Sequence, residues 1–213
     1  MQRITVETMN ILMINNHDSF TYNLVHYMED SSYDVEVIVV KPESLYEEII
    51  AEKQISGIVI SPGPSHPKDR PEVMAFLRKH WVDVPILGVC LGHQLLWHMS
   101  GGMVERGNRP VHGHVSLIHH EGSGLFEDIP SPFHVTRYHS LVCSGPVPEG
   151  FEVSARTEAG TVMGIQHKEH NIAGLQYHPE AILSENGRRQ LETFIRKAQE
   201  GDAHARTCEV QEG

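Results

Sequence analysis

Between residues 10 and 99, four short apolar runs alternate with stretches whose apolar residues recur at helical spacing. The runs cover 10–15, 34–40, 57–61 and 85–89. Helices are expected over 20–29, 42–53 and 71–80, the second with Pro42 in its first turn, and a fourth continues into 95–99. Repeated strand–helix units of this length cannot pair as hairpins. They imply an α/β fold, an open and mostly parallel twisted sheet covered by helices on both faces. In such sheets ligands bind beyond the carboxyl ends of the strands. Asp18 or Ser19 is placed to cap the first helix.

The fourth run ends in Gly88-Val89-Cys90-Leu91-Gly92-His93-Gln94. This reads as strand, sharp turn and helix, with Gly88 and Gly92 letting the strand and helix meet closely around a residue in a strained turn. Serine hydrolases use the same geometry in G-x-S-x-G. Amides at the start of the following helix favour a nearby anion, so the Cys90 thiol is expected to fall from about 8.5 towards the roughly 3.5–7.5 range of activated cysteines. Taken alone, a G-x-C-x-G segment reads rather as a buried cysteine beside a tight helix–strand contact. Partners decide between the two.

Composition narrows the field. The 213 residues suffice for one domain with a full core, and 39% hydrophobic with 21% charged residues is ordinary for a soluble globular chain. No stretch is long and apolar enough to span a bilayer, and residues 1–10 lack the apolar core and cleavage site of a secretory signal, so a cytoplasmic location and no membrane partner are expected. The formal charge of −11, without a Lys/Arg cluster, opposes a nucleic-acid partner. Three cysteines without a C-x-x-C pair point to free thiols. Among sixteen histidines, His112-x-His114 and His119-His120 invite a metal, but no metal-ligand spacing set accompanies them, and none is expected.

After Gly101-Gly102 the pattern changes to short strand-like runs over 114–119, 133–138, 151–155, 162–167 and 172–177, expected to form a smaller antiparallel or mixed region. A helix over 188–198 follows. Residues 1–9 read as an N-terminal extension, 10–198 as the domain, and 199–213, polar and aperiodic, as a disordered tail.

A nucleophilic cysteine needs a histidine held by a carboxylate. Gln176-Tyr177-His178-Pro179-Glu180 offers both: in extended chain, residues two apart point the same way, and Pro179 ends the ladder between them. After the third run, Ser61-Pro62-Gly63-Pro64-Ser65 leaves Gly63 with the amide free between two prolines. That segment is a turn by itself; with the amide of Leu91 it can also form an oxyanion hole.

Together S-P-G-P, G-V-C-L-G-H-Q and Q-Y-H-P-E, in this order, resemble the class I (triad) glutamine amidotransferases, which have a flavodoxin-like fold. HDSFTYNLVHY, VHGHVS, GLFEDIPSPFHVTRYHSL, MGIQHK and HPEAILSENG narrow the resemblance to the amidotransferase subunit of anthranilate synthase and of aminodeoxychorismate synthase, over about 10–198. The resemblance implies Cys90 as nucleophile, His178 as general acid/base and Glu180 as its orienting carboxylate. It also implies Gly63 and Leu91 at the oxyanion, Gln94 on substrate L-glutamine, and the backbone at Ser140-Leu141 on its α-amino-acid end. A γ-glutamyl thioester would form, and ammonia would pass to a chorismate-using synthase subunit, the expected partner. No cofactor is implied in this subunit; magnesium belongs to the synthase.

Six positions depart from the family pattern. Asn15 and His17 stand in place of aspartate and tyrosine, Ser65 in place of the second glycine of P-G-P-G, His114 and Val115 in place of lysine and threonine, and Ala181 in place of serine. They suggest a diverged copy serving a specialised pathway. Two other roles fit the same residues: a regulatory subunit that docks a synthase without hydrolysing glutamine, and a free-standing cysteine hydrolase of γ-glutamyl substrates.

Overall fold

The computed structural model describes residues 8–211, with the side chains of 108 and 202–211 left undescribed. One nine-stranded sheet runs through it in the order β2-β1-β3-β4-β9-β8-β7-β5-β6. Five strands are parallel: β1 (Met9–Ile14), β2 (Val35–Val40), β3 (Ile55–Ile60), β4 (Ile86–Val89) and β9 (Ile172–Leu175). Four antiparallel strands complete the sheet: β5 (Met103–His120), β6 (Phe133–Ser144), β7 (Phe151–Thr157) and β8 (Val162–His167). The antiparallel region is thus an extension of the main sheet. β9, made last, inserts between β4 and β8.

The central parallel strands β3 and β4 are buried along their whole length, so they read as near-continuous apolar runs. Ile11 and Met13 point to one face, under α1 (Thr21–Glu29) and α5 (Gly187–Gln211), where Leu24, Met28, Leu191, Phe194 and Ile195 meet Val59 and Leu87. Leu12 and Ile14 point to the other, under α3 (Pro71–Lys79) and α4 (Leu91–Met99), with Val73, Phe76, Leu77, Leu95 and Trp97. Each fully buried Ile or Leu contributes roughly 1.5–3 kcal/mol. This double burial makes the centre of the sheet a rigid platform for the loops at its carboxyl edge.

Several expectations need correction. Residues 42–53 do not form one helix: a 3-10 turn at Pro42–Ser44 gives way to extended backbone at Leu45, and only α2 (Ile49–Glu52) is α-helical. Leu45 packs into the core beside α3, which a continuous helix would not allow. β5 and β6 are much longer than the runs 114–119 and 133–138, because they pair with each other across Met103–Ser144. Met9 belongs to β1, its amide donating to the Asp34 carbonyl at 2.9 Å, so the extension is shorter than 1–9; residues 1–7 lie outside those described. The expected disordered tail is helical as far as Gln211, where α5 carries Gly201 past Pro85 and Arg196 pairs with Glu200 one turn on. Residues 212 and 213 lie outside those described. Neither Asp18 nor Ser19 caps α1 as expected: Phe20 is the N-cap, without a side-chain bond, while Asp18 Oδ1 accepts from the Phe20 amide at 2.8 Å. No described helix is long and apolar enough to cross a membrane.

Candidate active site

Cys90 occupies the turn from β4 into α4 with φ 53° and ψ −98°, a conformation that L residues adopt only under constraint. The constraint is visible. Its amide donates to the Leu175 carbonyl of β9 at 2.8 Å, its carbonyl accepts from the Gln94 amide at 3.2 Å, and glycines clear the space around it. A Cβ on Gly88 would run into the Gly92 backbone, and one on Gly92 into the Ile60 carbonyl of β3. The strand and helix therefore approach to backbone contact. The thiol sits above the sheet, 6% exposed, where α4 presents its unpaired first amides.

β4 and β9 are parallel neighbours, so the ends of both strands lie side by side. The chain leaving β9 carries Gln176, Tyr177, His178 and Glu180, all nearly fully buried. His178 Nδ1 lies 2.7 Å from Glu180 Oε1, which leaves Nε2, without another partner, to face the thiol. Burial opposes the imidazolium, but the adjacent Cys90 sulfur and the Glu180 carboxylate outweigh it and raise the pKa to about 10. The pair is built to hold a proton on the imidazole.

Four contacts hold this segment in place. The His178 amide donates to the Thr136 carbonyl of β6 at 3.1 Å. Ser184 Oγ accepts from the Thr136 amide at 2.9 Å and donates to the His178 carbonyl at 2.6 Å. Tyr177 O–H donates to Gln190 Oε1 of α5 at 2.7 Å. Above them Phe20 and Tyr138 stack at 5.7 Å between ring centroids, and both meet the His178 ring edge-on, at 5.8 and 5.2 Å. The two aromatics are partly exposed and form the rim over a buried imidazole.

The loop after β3 closes the other side. A Cβ on Gly63 would overlap Asn16 and the Leu91 side chain, so the loop backbone lies against the start of α4. Buried Asn16 secures it: its amide donates to Ser61 Oγ at 2.9 Å and its Nδ2 to the Ser61 carbonyl at 3.1 Å. Gln94 reaches from α4 to the Leu141 carbonyl of β6 at 3.0 Å, so the expected glutamine-binding positions 94 and 141 meet. Ser140 is exposed beside them. The Leu141 carbonyl also accepts from His139 Nδ1 at 2.8 Å. Arg137 Nε donates to His139 Nε2 at 3.1 Å and fixes that tautomer. Burial, with Arg137 close by, lowers the His139 pKa to about 4, so this ring stays neutral.

The structure therefore gathers Cys90, His178, Glu180, Gly63, Leu91, Gln94 and Leu141 at the carboxyl edge of β3, β4 and β9. Asn16, Phe20, Gln176, Ser184, Tyr138 and His139 belong to the same assembly but were not singled out as site residues. All but Asn16 lie inside segments that carry the family resemblance, Gln176 in Q-Y-H-P-E, Phe20 in HDSFTYNLVHY, Tyr138 and His139 in GLFEDIPSPFHVTRYHSL and Ser184 in HPEAILSENG, and that membership was the signal that could have found them. Cys90 and Cys143 are free thiols; the side chain of Cys208 lies outside those described. No cluster of three or more potential metal ligands occurs among the described residues. Two cavities, of about 330 and 230 Å³, open at the opposite edge of the parallel strands around Pro85, His170 and Asn171, away from this chemistry.

Three departures from the family pattern have visible consequences. Asn15 Oδ1 accepts from the Asp18 amide and Thr21 Oγ1, both at 3.1 Å, and so organises the start of α1. Ser65 has φ 78°, a left-handed conformation that favours the glycine it replaces. His114 lies opposite Arg137 in the β5–β6 ladder, next to Ser116, whose Oγ accepts from Arg137 Nη1 at 3.3 Å.

A buried histidine–carboxylate pair beside a cysteine on a strained strand–helix turn is an arrangement able to support thiol-dependent acyl transfer. The chain belongs to the class I glutamine amidotransferase family, whose sequence model matches residues 12–198. It is 41% identical over 187 residues to anthranilate synthase component 2 of Cyanophora paradoxa, covering 87% of this chain and 97% of that one. Aminodeoxychorismate synthase component 2 of Klebsiella aerogenes is 42% identical over 188 residues, covering 88% and 100%. The bifunctional protein TrpGD of Thermotoga maritima is 41% identical over 186 residues, but the chain spans only 32% of its length. In fold, the chain superimposes with a TM-score of 0.77 on a crystal structure from Thermoplasma acidophilum described as a subunit of GMP synthase. That match is 21% identical and covers 97% and 99% of the two chains.

Proposed function

We propose that this chain is the glutamine-hydrolysing subunit of a chorismate-using synthase, with anthranilate synthase as the synthase. The observation that carries the chemistry is the 2.7 Å His178–Glu180 bond, with Nε2 directed at Cys90 on its strained turn. The Cys90 thiolate attacks the side-chain amide carbon of L-glutamine. The amides of Gly63 and Leu91 receive the oxyanion, Gln94 and the Ser140-Leu141 backbone hold the amino-acid end, and His178 gives its proton to the departing ammonia. Neutral His178 then takes a proton from water, which cleaves the γ-glutamyl thioester to glutamate and restores the thiol. Glu180 keeps the imidazole oriented throughout. Overall, glutamine and water become glutamate and ammonia.

Ammonia released into neutral water becomes mostly ammonium, a poor nucleophile, so the useful acceptor is a synthase subunit docked beside the site. The component 2 relatives, matched over nearly their whole length, support such a partner. This subunit needs no cofactor; magnesium serves the synthase, and the complex works in the cytoplasm. The second reading, the amidotransferase of aminodeoxychorismate synthase on the p-aminobenzoate route, is supported by the Klebsiella relative, 42% identical against 41% for the Cyanophora one.

The test is to capture the chain with its native partner and supply chorismate, magnesium and amide-labelled glutamine. Labelled anthranilate supports the first reading, and labelled aminodeoxychorismate replaces it by the second. Cys90→Ser should abolish amination from glutamine while added ammonium still works. Glutamine use retained by that variant would falsify the role of Cys90.

A further inference from the structure

The family reading leaves Gln176 without a role, yet its side chain is wholly buried beside the nucleophile. Its orientation is fixed by a chain of hydrogen bonds that begins at a group able only to accept. The Leu141 carbonyl lies 3.0 Å from the Gln94 side-chain amide, so the atom facing it must be the donor, Nε2. That same Nε2 lies 3.1 Å from the Gln176 side chain, which must therefore present its oxygen there. With Oε1 committed to Gln94, Gln176 Nε2 is the atom 3.9 Å from Cys90 Sγ, and it can only donate. Sulfur hydrogen bonds are long, and a thiolate accepts better than a thiol. We propose that Gln176 is a thiolate-binding residue, donating from Nε2 to Cys90 Sγ and held in that orientation by Gln94 and the Leu141 carbonyl.

Gln176 approaches the sulfur from the end of β9, whereas His178 approaches from further along the chain, so the thiolate has two donors of different kind. The His178 proton is spent on the leaving ammonia in each turnover. The amide proton of Gln176 is not, and it remains to receive the sulfur when the thioester breaks. Of the titratable groups around the thiol, His178 beyond β9 and Cys143 on β6 act on it directly, Glu180 and His139 act on His178, and His93 on α4 lies against Gly174. The role in turnover rests on the proposed glutamine chemistry; the contact itself does not.

The test uses the isolated full-length chain and reads the rate of Cys90 alkylation by iodoacetamide against pH, resolved by mass spectrometry of the Cys90 peptide. Gln176→Met removes the donor at similar size, and Gln176→Glu puts an acceptor and a negative charge at the sulfur. Alkylation below the midpoint should slow by about threefold in the first and by about tenfold or more in the second, as the midpoint moves up by about half a unit and one unit or more. Midpoints equal to wild type in natively folded variants overturn the proposal. Should the variants not fold, the unaltered chain decides. The Gln176 side-chain amide resonances should follow the Cys90 midpoint in wild type and lose that step in Cys90→Ser; resonances that ignore Cys90 overturn the contact. L-Glutamine hydrolysis measured alongside with the partner separates the two ideas. Midpoint shifts without hydrolysis sink the enzymatic reading and keep the contact, whereas hydrolysis with unmoved midpoints does the reverse.

Discussion

Ser184→Ala tests whether the histidine is held by its loop. Ser184 Oγ accepts from the Thr136 amide at 2.9 Å and donates to the His178 carbonyl at 2.6 Å, so one hydroxyl ties the turn after Glu180 to β6. Removing it leaves the amide of buried Thr136 without its acceptor, a loss of about 1–3 kcal/mol. For a chain of this size that corresponds to a fall in Tm of about 2–7 °C by differential scanning fluorimetry. The direct bond from the His178 amide to the Thr136 carbonyl remains, so the segment should loosen without detaching. If loosening costs about 1.4 kcal/mol of correctly placed imidazole, kcat for glutamine falls about tenfold. KM should hold, because Gln94 and Leu141 are untouched. Ser184→Thr keeps the hydroxyl and should restore both quantities. A Ser184→Ala enzyme with wild-type Tm and kcat, or one changed only in KM, would refute the reasoning.

Four further outcomes are expected. His93 and His139 are buried and neutral, with pKa values lowered by burial from 6.5 to about 3 and about 4, so the unfolded chain binds protons that the native one refuses. Stability should decline as pH falls below 6.5, at about 1.4 kcal/mol per pH unit for each histidine. His139→Gln should remove about half of that slope between pH 6 and 5, measured by denaturant unfolding. His178 works in the opposite sense: its folded pKa of about 10 lies above the ordinary 6.5, so its stabilisation is complete below pH 6.5 and lost as pH rises towards 10. Glu180→Gln should flatten that alkaline decline. Gly92→Ala should destabilise by about 1–3 kcal/mol or prevent folding, since its Cβ meets the Ile60 backbone, and a variant with wild-type urea midpoint would contradict the close approach. Ser65→Gly relieves a φ of 78° and should stabilise by about 0.5–1 kcal/mol in the same assay.

The parallel half of the fold was legible because its signal is local. Val59 or Leu87, buried on a strand with both faces covered, belongs to an apolar run whatever its partners are. Cys90 was legible for a related reason: the glycines that permit its turn lie within two residues of it. His178 and Glu180 were legible through their spacing in extended chain. What escaped was decided by distant partners. Asn16 looks like any polar residue after a strand until Ser61, 45 positions away, receives its amide. Gln176 acquires meaning only from Cys90, 86 positions away. The lengths of β5 and β6 depend on their pairing with each other. The break after Ser44 depends on Leu45 finding the core, which helical spacing alone does not register.

The insertion of β9 between β4 and β8 bears on how the chain is made. Cys90 is synthesised early, but the strand that delivers its histidine is the last of the nine and must enter the middle of the sheet. A ribosome-bound chain, or one cut anywhere before residue 176, carries the thiol without its base. Under the proposed chemistry, attack on glutamine therefore waits until β9 has entered the sheet, and a copy still lacking that strand cannot squander the amino acid.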